Sequence, residues 1–418
     1  MNPRRVAITG LGLVSPFGGD LADFFARLLA GESAIRLLQT DDRPRPLHMP
    51  FAGCPGFDAG ATLGRPLAGM LDRFAQLGVA AAFAAWDDAG LARAPQGDER
   101  DDWGVAWGTA LGGTMAYEKG YRELWQKGQQ RLSPLSLVLG MNNAANAQIS
   151  IQLGLGGVSM SHTVACASSS IAIGEAFRRV RSGEAPVMLA GGSDTPQAYA
   201  VARAWEALRV LANADEAGAP RCCRPFAADR SGLVLGEGGA SLVLEDWDHA
   251  IARGAFIHGE LAGYGTTCDH SHLVRPAAAG QVRALRAALA DAGLGTADID
   301  YVNAHGTATP EGDPVEIEAL RSVFGDRAER LAVSATKSLH GHLLGAAGAL
   351  EAIITVLALR DGAIPPTAHL EHLDPACAGV DHVATARHQQ PLRAALASSF
   401  AFGGSNAVLA FRAVAAQP

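Results

Sequence analysis

Apolar residues follow two alternating patterns along this chain, and the patterns predict strands and helices in turn. Short, mostly apolar runs predict buried strands at residues 6–9, 104–108, 187–190, 240–244, 301–304, 332–335 and 395–399. Apolar residues at helical spacing predict helices at residues 70–89, 168–181, 281–292, 314–323 and 345–360. Strands that alternate with helices are typical of layered α/β proteins, so we expect an α/β fold.

Composition adds that this fold is large and tightly packed. The chain has 418 residues, of which 48% are hydrophobic and only 6% aromatic, and it contains 49 glycines. A chain of this length buries a large core, as two domains or one large one. The many small residues allow backbones to approach closely, which suits packed α/β layers.

Charge, hydropathy and cysteine spacing exclude several classes of function. The net charge of −8 argues against nucleic acid as the main partner. The apolar runs end well before the length of about 18 residues that a membrane span needs. The first ten residues enter a strand without a signal-peptide pattern, so we expect a cytoplasmic protein. The six cysteines are scattered without a CxxC pair, which indicates neither a disulfide framework nor a zinc site.

Cys166 lies where an apolar stretch ends and a predicted helix begins, in the sequence T-V-A-C-A-S-S-S. Backbone N–H groups at a helix N-terminus favour a negative charge, and a thiolate is one. Lowering a thiol pKa from about 8.5 to about 7 takes roughly 2 kcal/mol, the upper end of what a helix terminus supplies. On this segment alone, a nucleophile and a buried structural cysteine are equally good interpretations.

Two histidine segments in the second part of the chain also follow predicted strands. His305 ends the strand at residues 301–304 and precedes a loop of Gly, Thr and Pro. Lys337 and His342 lie in the loop before a helix of small residues, and such a helix is tightly buried. We therefore expect His342 and Glu351 to be buried. Singly, each histidine is better explained as a hydrogen-bonded core or surface residue.

Two further loops carry polar or small residues. The segment at residues 400–406 contains Phe402 and a Gly-Gly pair after a strand, and residues 229–238 form a Gly-rich connection with charges. A cysteine with distant histidines is compatible with a cysteine protease, an amidotransferase or an acyltransferase. The spacing alone does not decide among these three.

The segments taken together resemble one family. T-V-A-C-A-S-S-S, N-A-H-G-T-A-T-P-E-G-D and T-K-S-L-H-G-H-L-L-G-A-A-G-A-L-E are similar to the motifs of the β-ketoacyl-acyl carrier protein synthases. These are the condensing enzymes of fatty acid and polyketide synthesis, and the synthase II branch is the most similar. The resemblance extends from R-V-A-I-T-G-L-G near the start to F-G-G-S-N near the end.

The resemblance implies a fold and an assembly. The fold is thiolase-like, with five layers in the order α-β-α-β-α made of two similar halves, and the protein is usually a homodimer. On this basis we expect residues 1–255 to form the half that carries the nucleophilic Cys166. Residues 256–418 would form the half that carries His305, Lys337 and His342.

The implied reaction has two stages and requires acyl carrier protein as partner. An acyl group moves from a carrier thioester to Cys166; a malonyl carrier thioester then loses CO₂, and its carbanion attacks the acyl group. His305 and His342 would donate hydrogen bonds to the enolate, in the manner of an oxyanion hole. The backbone N–H groups of Cys166 and Phe402 would hold the oxyanion of acyl transfer. Lys337 would organise the site electrostatically together with Glu351.

The remaining site residues are also implied by the resemblance. Phe402 corresponds to the gating aromatic of the acyl pocket, and Thr307 and Thr309 to the hydroxyls that bond the phosphopantetheine arm. Glu351, Asp313 and Phe400 are expected to support the site. We expect no metal and no tightly bound cofactor, because the phosphopantetheine arrives on the carrier protein. The expected assembly is a homodimer, or a heterodimer with a ketosynthase-like subunit.

The chain departs from the family pattern at several positions. Ala401 stands where the family has glycine; if that position needs a positive φ, the Cβ is unfavourable. Ser405, Ala227 and Ser231 also replace the usual residues. We take these departures to indicate a specialised polyene or polyketide pathway, which a clear preference for saturated acyl chains would argue against. An acidic carrier protein needs basic residues to dock on, and the candidates are Arg65, Arg73, Lys119, Arg122, Lys127 and Arg131. The alternative interpretation of each is an ordinary solvated surface charge.

Three alternatives within the superfamily remain beside the active synthase. A chain-length-factor subunit, which is a non-catalytic partner, lacks the nucleophile, and a decarboxylase-only relative has it replaced. A thiolase uses a second cysteine in place of one histidine. The presence of Cys166, His305, Lys337 and His342 favours the active synthase over all three. We expect the pocket residues that set the acyl chain length to lie at 110–113, 133–143 and 201–208.

Overall fold

The computed structural model describes residues 3–40, 44–93 and 99–414. The strands in these ranges are β1 (Val6–Val14), β2 (Arg36–Thr40), β3 (Leu47–Ala52), β4 (Gly104–Gly108), β5 (Ser159–His162), β6 (Val187–Asp194), β7 (Leu235–Gly236), β8 (Gly238–Asp246), β9 (Gly259–Cys268), β10 (Tyr301–Asn303), β11 (Ala332–Ser334), β12 (Asp381–His382), β13 (Ala394–Phe400) and β14 (Ser405–Arg412). The helices are α1 (Leu21–Leu29), α2 (Ala59–Leu63), α3 (Arg65–Ala68), α4 (Arg73–Asp88), α5 (Thr114–Trp125), α6 (Leu135–Gly140), α7 (Ala144–Leu153), α8 (Ser168–Ser182), α9 (Tyr199–Leu208), α10 (Trp247–Ala252), α11 (Ala278–Ala292), α12 (Gly312–Phe324), α13 (Lys337–His340) and α14 (Ala347–Asp361).

The main sheet consists of two copies of one strand arrangement. Its order is β12-β11-β10-β13-β14-β9-β1-β8-β6-β4-β5. Outward from the centre, β1-β8-β6-β4-β5 on one side corresponds to β9-β14-β13-β10-β11 on the other, each with two antiparallel pairings followed by two parallel ones. The copies join where β1 pairs antiparallel with β9 over three residue pairs, from Val6↔Leu261 to Ile8↔Gly259. The strand order therefore repeats once along the chain.

Helices cover both copies of the sheet and also fill the space between them. Helices α8 and α14 pack against each other and against strands of both copies. Helices α4 and α7 cover the outer face of the first copy, and α11, with α12 packed on it, covers the second. These are the five layers predicted from the resemblance. The predicted division at residues 255 and 256 stays a prediction; it falls between α10 and β9.

The central helices touch closely because they carry small residues. A Cβ built on Gly348 of α14 would lie 2.0 Å from Ser170 Oγ of α8, so only glycine fits there. Every residue from Ala347 to Leu359 is buried, including Glu351. This confirms the prediction that a helix rich in small residues is a buried one.

Each predicted strand and helix is present, with shifts at the ends. The helix predicted at residues 70–89 begins at Arg73, because the side chain of Asp72 caps it by accepting the N–H of Phe74 at 3.3 Å. The helix predicted at residues 345–360 begins at Ala347, after a 3₁₀ turn at Leu344–Ala346. In the described ranges, none of the helices has both the length and the apolar character that crossing a membrane requires.

Candidate active site

Cys166 lies in a tight turn at the start of the central helix α8. The turn is a 3₁₀ segment, Ala165–Ala167, and Ala165 has a φ of 46°, in the left-handed region. Such a conformation costs a non-glycine residue roughly 1–2 kcal/mol, so the surroundings must hold it. The Ser168 hydroxyl does this by accepting the Val164 N–H at 2.8 Å and donating to the Ala165 carbonyl at 2.7 Å. The Cys166 side chain lines a cavity of about 310 Å³.

The pKa of the Cys166 thiol differs from the sequence-based expectation. Burial raises this pKa to about 11, although the Lys337 charge and the backbone N–H groups of Phe402 and Cys166 lower it. The prediction of a pKa lowered towards 7 is therefore wrong for this structure, because desolvation outweighs the helix terminus. Both backbone N–H groups thus interact with the Cys166 sulfur, and their role as an oxyanion hole stays a prediction.

The two histidines face Cys166 from the second copy of the sheet. The donor atoms of Cys166, His305 and His342 all lie within 4.8 Å of one another, and the two imidazole rings meet edge to face at 5.4 Å. His305 follows β10, and the Glu316 carboxylate of α12 accepts its backbone N–H at 2.8 Å. The Phe400 ring packs on His305 at 6.1 Å. The structure thus brings Cys166 together with two histidines that lie more than 130 positions further along the chain.

Lys337 controls the hydrogen bonding of His305. Its fully buried Nζ contacts a Glu351 carboxylate oxygen, the His305 carbonyl at 2.6 Å and His305 Nδ1 at 3.4 Å. An ammonium group has three N–H donors, and these contacts use all three. Because Nδ1 accepts a hydrogen bond, the neutral ring of His305 carries its proton on Nε2.

His342 has the same protonation by a different route. Its Nδ1 accepts the backbone N–H of Leu344 at 3.2 Å, so its proton is also on Nε2. This Nε2 is buried and has no hydrogen-bond partner among the described residues. Burial first, and then the Lys337 charge, hold the pKa of both histidines well below the usual value. The cavity therefore contains two neutral imidazoles that each offer an N–H.

The same three side chains do not have the chemistry of a metal site. Their donor atoms are near enough to one another for an ion to be considered. A metal would need an unprotonated nitrogen, whereas both Nδ1 atoms already accept hydrogen bonds and both Nε2 atoms carry protons. The Lys337 ammonium beside His305 would also repel a cation. The arrangement favours two hydrogen-bond donors over a metal site.

Asp313 and an arginine hold the loop that carries the two threonines. Asp313 accepts the Phe226 N–H at 2.8 Å, and burial raises its pKa to about 6. Arg230, which lies 3.8 Å from that carboxylate, donates to the Thr309 carbonyl at 3.0 Å. The hydroxyls of Thr307 and Thr309 are 3.1 Å apart, and both residues line the cavity.

The loop between β13 and β14 brings Phe402 to the cavity. Gly403 and Gly404 have φ values of 86° and 77°, whereas Ala401 does not lie in the left-handed region. The strain considered for Ala401 is therefore absent, and its Cβ is tolerated. The Phe402 ring stacks on Trp205 of α9, with centroids 6.0 Å apart and planes inclined by 24°.

Sequence reasoning missed two buried carboxylates that shape the site. Glu316 accepts the backbone N–H of Gly306 as well as that of His305, both at 2.8 Å. Asp194 accepts the N–H groups of Ala110 at 2.7 Å and Gly345 at 2.9 Å, which joins the loop after β4 to the turn before α14. Neither has a local signal in the sequence, because its partners are distant in the chain.

Two of the remaining predictions need correction. Arg73 is not an available docking charge, because it is paired with the buried Glu237 at 2.8 Å. Arg122 is paired with Glu118 at 2.9 Å, while Arg65, Lys119, Lys127 and Arg131 are exposed. Of the three segments proposed for the acyl pocket, only residues 201–208 contribute to the cavity, through Trp205.

Comparisons with known proteins show which family the chain resembles over its length. The model of the β-ketoacyl synthase N-terminal domain matches residues 3–250, and that of the C-terminal domain matches residues 258–371. Nodulation protein E of Rhizobium sp. (strain N33) is 43% identical, over 98% of this chain and 100% of that protein. The 3-oxoacyl-acyl-carrier-protein synthase 2 of Staphylococcus aureus (strain N315) is 38% identical, over 98% of each.

The same agreement holds for solved structures. The ishigamide ketosynthase/chain length factor superposes with a TM-score of 0.90 at 33% identity, covering 99% of this chain and 100% of that one. The predicted thiolase-like fold and condensing acyltransferase activity are thereby confirmed. The chain belongs to the β-ketoacyl synthase family.

Proposed function

We propose that this chain elongates acyl chains on Cys166 and that His305 and His342 stabilise the enolate formed from a malonyl thioester. The observation that carries the proposal is the pair of neutral imidazoles opposite the buried thiol, both with the proton on Nε2. The acyl and malonyl donors are thioesters of acyl carrier protein, by similarity to the Staphylococcus aureus synthase.

In the first step the acyl group moves to the enzyme. Cys166 Sγ attacks the thioester carbonyl, and the oxyanion accepts the backbone N–H groups of Cys166 and Phe402. The carbon–sulfur bond to the phosphopantetheine thiol then breaks, and the thiol proton of Cys166 ends on the leaving sulfur. A thiol replaces a thiol, so the step consumes no net proton and needs no lowered pKa at equilibrium.

In the second step the malonyl thioester loses CO₂. The bond to the carboxylate carbon breaks, and its electron pair moves into the enolate, whose oxygen accepts the Nε2–H groups of His305 and His342. Donors held in place before the reaction stabilise this charge without reorganisation, and one such donor is worth about 10²–10³ in kcat. Lys337 and Glu351 maintain the protonation of His305.

In the third step the enolate carbon attacks the acyl-Cys166 carbonyl. A carbon–carbon bond forms, the bond to Sγ breaks, and the thiolate recovers a proton from solvent. The β-ketoacyl product leaves on the carrier protein. Thr307 and Thr309 bind the phosphopantetheine arm, and Phe402 closes the acyl side. The mechanism requires no further cofactor.

The assembly and pathway belong to the same proposal. We expect a cytoplasmic homodimer acting in a specialised polyene or polyketide pathway. A second candidate is the catalytic subunit of a heterodimer, which the similarity to a ketosynthase/chain length factor favours. The division into residues 1–255 and 256–418 is kept as part of the proposal, since it separates the nucleophile from the histidines.

Intact-mass spectrometry tests the proposal. The protein is mixed with acyl carrier proteins of varied chain length and unsaturation, with Cys166→Ala as the control. We expect an acyl adduct that the variant lacks, and a ranking of chains that identifies the pathway. If no carrier acylates the isolated chain but one does after a partner subunit is added, the heterodimer replaces the homodimer. Absence of an adduct in both conditions would refute the mechanism.

A further inference from the structure

One buried polar side chain of the cavity wall is not used by the mechanism above. Gln281 lies in the first turn of α11, its side chain is 1% exposed, and it lines the same cavity as Cys166 and His305. Its Oε1 has no hydrogen-bond partner within the described part of the chain. Buried polar atoms are nearly always paired, so an unpaired acceptor on a residue of the cavity wall is available to a group that arrives with a ligand.

Each of the two buried carboxylates in this wall already accepts at least one hydrogen bond. Both oxygens of Glu316 accept backbone N–H groups at 2.8 Å. Asp313 Oδ2 accepts the Phe226 N–H and lies 3.8 Å from the Arg230 guanidinium, whereas its Oδ1 has no hydrogen-bond partner among the described residues. Gln281 differs because it is neutral and no hydrogen bond to the described residues holds its Oε1 in place.

The shape of the cavity restricts what reaches Gln281. Exposed residues line one part of the cavity, among them Leu273 and Arg275 in the segment just before α11, and the buried Cys166 lines another. A carrier arm that delivers a thioester to Cys166 must pass between them. A phosphopantetheine arm contains two amides, each with one N–H donor and one carbonyl acceptor. The hydroxyls of Thr307 and Thr309 can donate to a carbonyl, whereas Gln281 Oε1 can only accept.

We propose that Gln281 Oε1 accepts a hydrogen bond from an amide N–H of the phosphopantetheine arm and so contributes to recognition of the carrier. The inference rests on the carrier-dependent function proposed above and assigns one further substrate-binding residue to it. Without the arm, the acceptor is buried and unpaired; with the arm, it is satisfied. Gln281 therefore favours acyl thioesters that carry the amide over acyl thioesters that lack it.

The test compares acyl donors that differ by one amide N–H group. Acylation of Cys166 is measured with an acyl pantetheine and with two analogues in which one or the other amide is replaced by an ester. In the native protein, we expect kcat/KM for one analogue to be about fivefold to tenfold lower. In Gln281→Met, which has similar volume but no acceptor of this kind, we expect the amide donor to lose that advantage, mainly through KM.

Two controls separate this role from a structural one. The donors are compared on the same preparation, so any inactive fraction of Gln281→Met cancels in the ratio. Arg286→Met changes an exposed residue of the same helix and should keep the native discrimination. The inference is overturned if Gln281→Met discriminates between amide and ester donors as the native protein does. If no donor acylates the native protein, the proposed function fails, and this inference fails with it.

Discussion

The starts of the two central helices have the same backbone but different chemistry. Helix α8 follows a 3₁₀ turn whose first residue, Ala165, has a φ of 46°; α14 follows a 3₁₀ turn whose first residue, Leu344, has a φ of 50°. Both helices are 15 residues long and occupy corresponding places in the repeated strand order. The residue after the left-handed one is Cys166 in the first turn and Gly345 in the second.

The space around these two positions explains the difference. A Cβ on Gly345 would lie 2.4 Å from the Ala110 nitrogen and 2.6 Å from an oxygen of Asp194, so no side chain fits there. Cys166 faces the cavity instead. The second half contributes its chemistry from the preceding segments, through His305, Lys337 and His342. The repeated fold thus supplies two equivalent turns, and packing decides that only one carries a nucleophile.

The largest expected effect comes from replacing Cys166 by glycine, the residue at the equivalent position of the second turn. Cys166→Gly removes the thiol that accepts the acyl group, so we predict that condensation falls by at least about a thousandfold. Steady-state formation of the β-ketoacyl product measures it. Cys377→Ala, which removes a buried thiol outside the cavity, is the control and should stay within about twofold of the native rate. A Cys166→Gly variant with native activity would eliminate Cys166 as the nucleophile.

The next effect concerns the fully buried ion pair between Lys337 and Glu351 in the second half. Lys337→Met leaves Glu351 buried without its partner, and breaking such a pair costs about 3–5 kcal/mol in the free energy of unfolding. It also removes the donor to His305 Nδ1, so we predict CO₂ release at least about 100-fold slower. Urea unfolding and CO₂ release are measured on the same samples.

A double variant separates these two consequences. Lys337→Met with Glu351→Leu removes both buried charges, so most of the lost stability should return. CO₂ release should remain slow, since His305 Nδ1 still lacks its donor. Recovery of the release rate together with stability would mean that Lys337 acts only on folding.

The next prediction concerns how the alkylation rate of Cys166 depends on pH. Because the pKa of the Cys166 thiol is raised to about 11, its thiolate fraction grows as pH rises and does not level off near neutrality. We predict that alkylation of Cys166 by iodoacetamide accelerates about tenfold per unit between pH 7 and 9. Peptide mass spectrometry follows it, with the exposed Cys268 as reagent control. A plateau between pH 7 and 8 would contradict the raised pKa.

The smallest expected effect tests the packing around the second turn. Gly345→Ala forces a Cβ against the Ala110 backbone and Asp194, so we predict that the free energy of unfolding falls by about 1–3 kcal/mol. Gly56→Ala is the matched control, because a Cβ there meets no atom within 4 Å. Urea unfolding of both variants gives the comparison. Equal stability of the two would show that the crowding at Gly345 does not limit the second turn.

The sequence predicts the parts of the fold that are apolar and locally periodic. The strands β1, β6 and β13 are buried along their whole length and stand out as apolar runs. Seven strands in the described residues were not predicted (β2, β3, β5, β7, β9, β12 and β14). Among them, β5 reads Ser-Met-Ser-His and β9 is rich in Gly and Thr. Their strand character comes from pairing with neighbours that are distant in the chain.

The site residues also fall into two groups, those that the sequence identifies and those that it does not. Cys166, His305, Lys337 and His342 lie in motifs that identify them. The structure places Cys166, His305 and His342 around one cavity, with the buried Lys337 bonded to His305. The roles of Glu316 and Gln281 depend on backbone or cavity atoms that no local pattern specifies. The direction of the thiol pKa was wrong for a related reason: the helix N-terminus is visible in the sequence, whereas the extent of burial around Cys166 is not.

The account's central claim is that the first half supplies the nucleophile and the second half supplies the enolate donors. Rapid-quench kinetics on His342→Leu tests this claim most directly. Acylation of Cys166 and CO₂ release from malonyl carrier protein are followed in the same preparation and compared with the native protein. The account predicts that acylation stays within about tenfold of the native rate, while CO₂ release falls by about 10²–10³, because one enolate donor is lost. A variant in which acylation falls as far as CO₂ release would contradict the account.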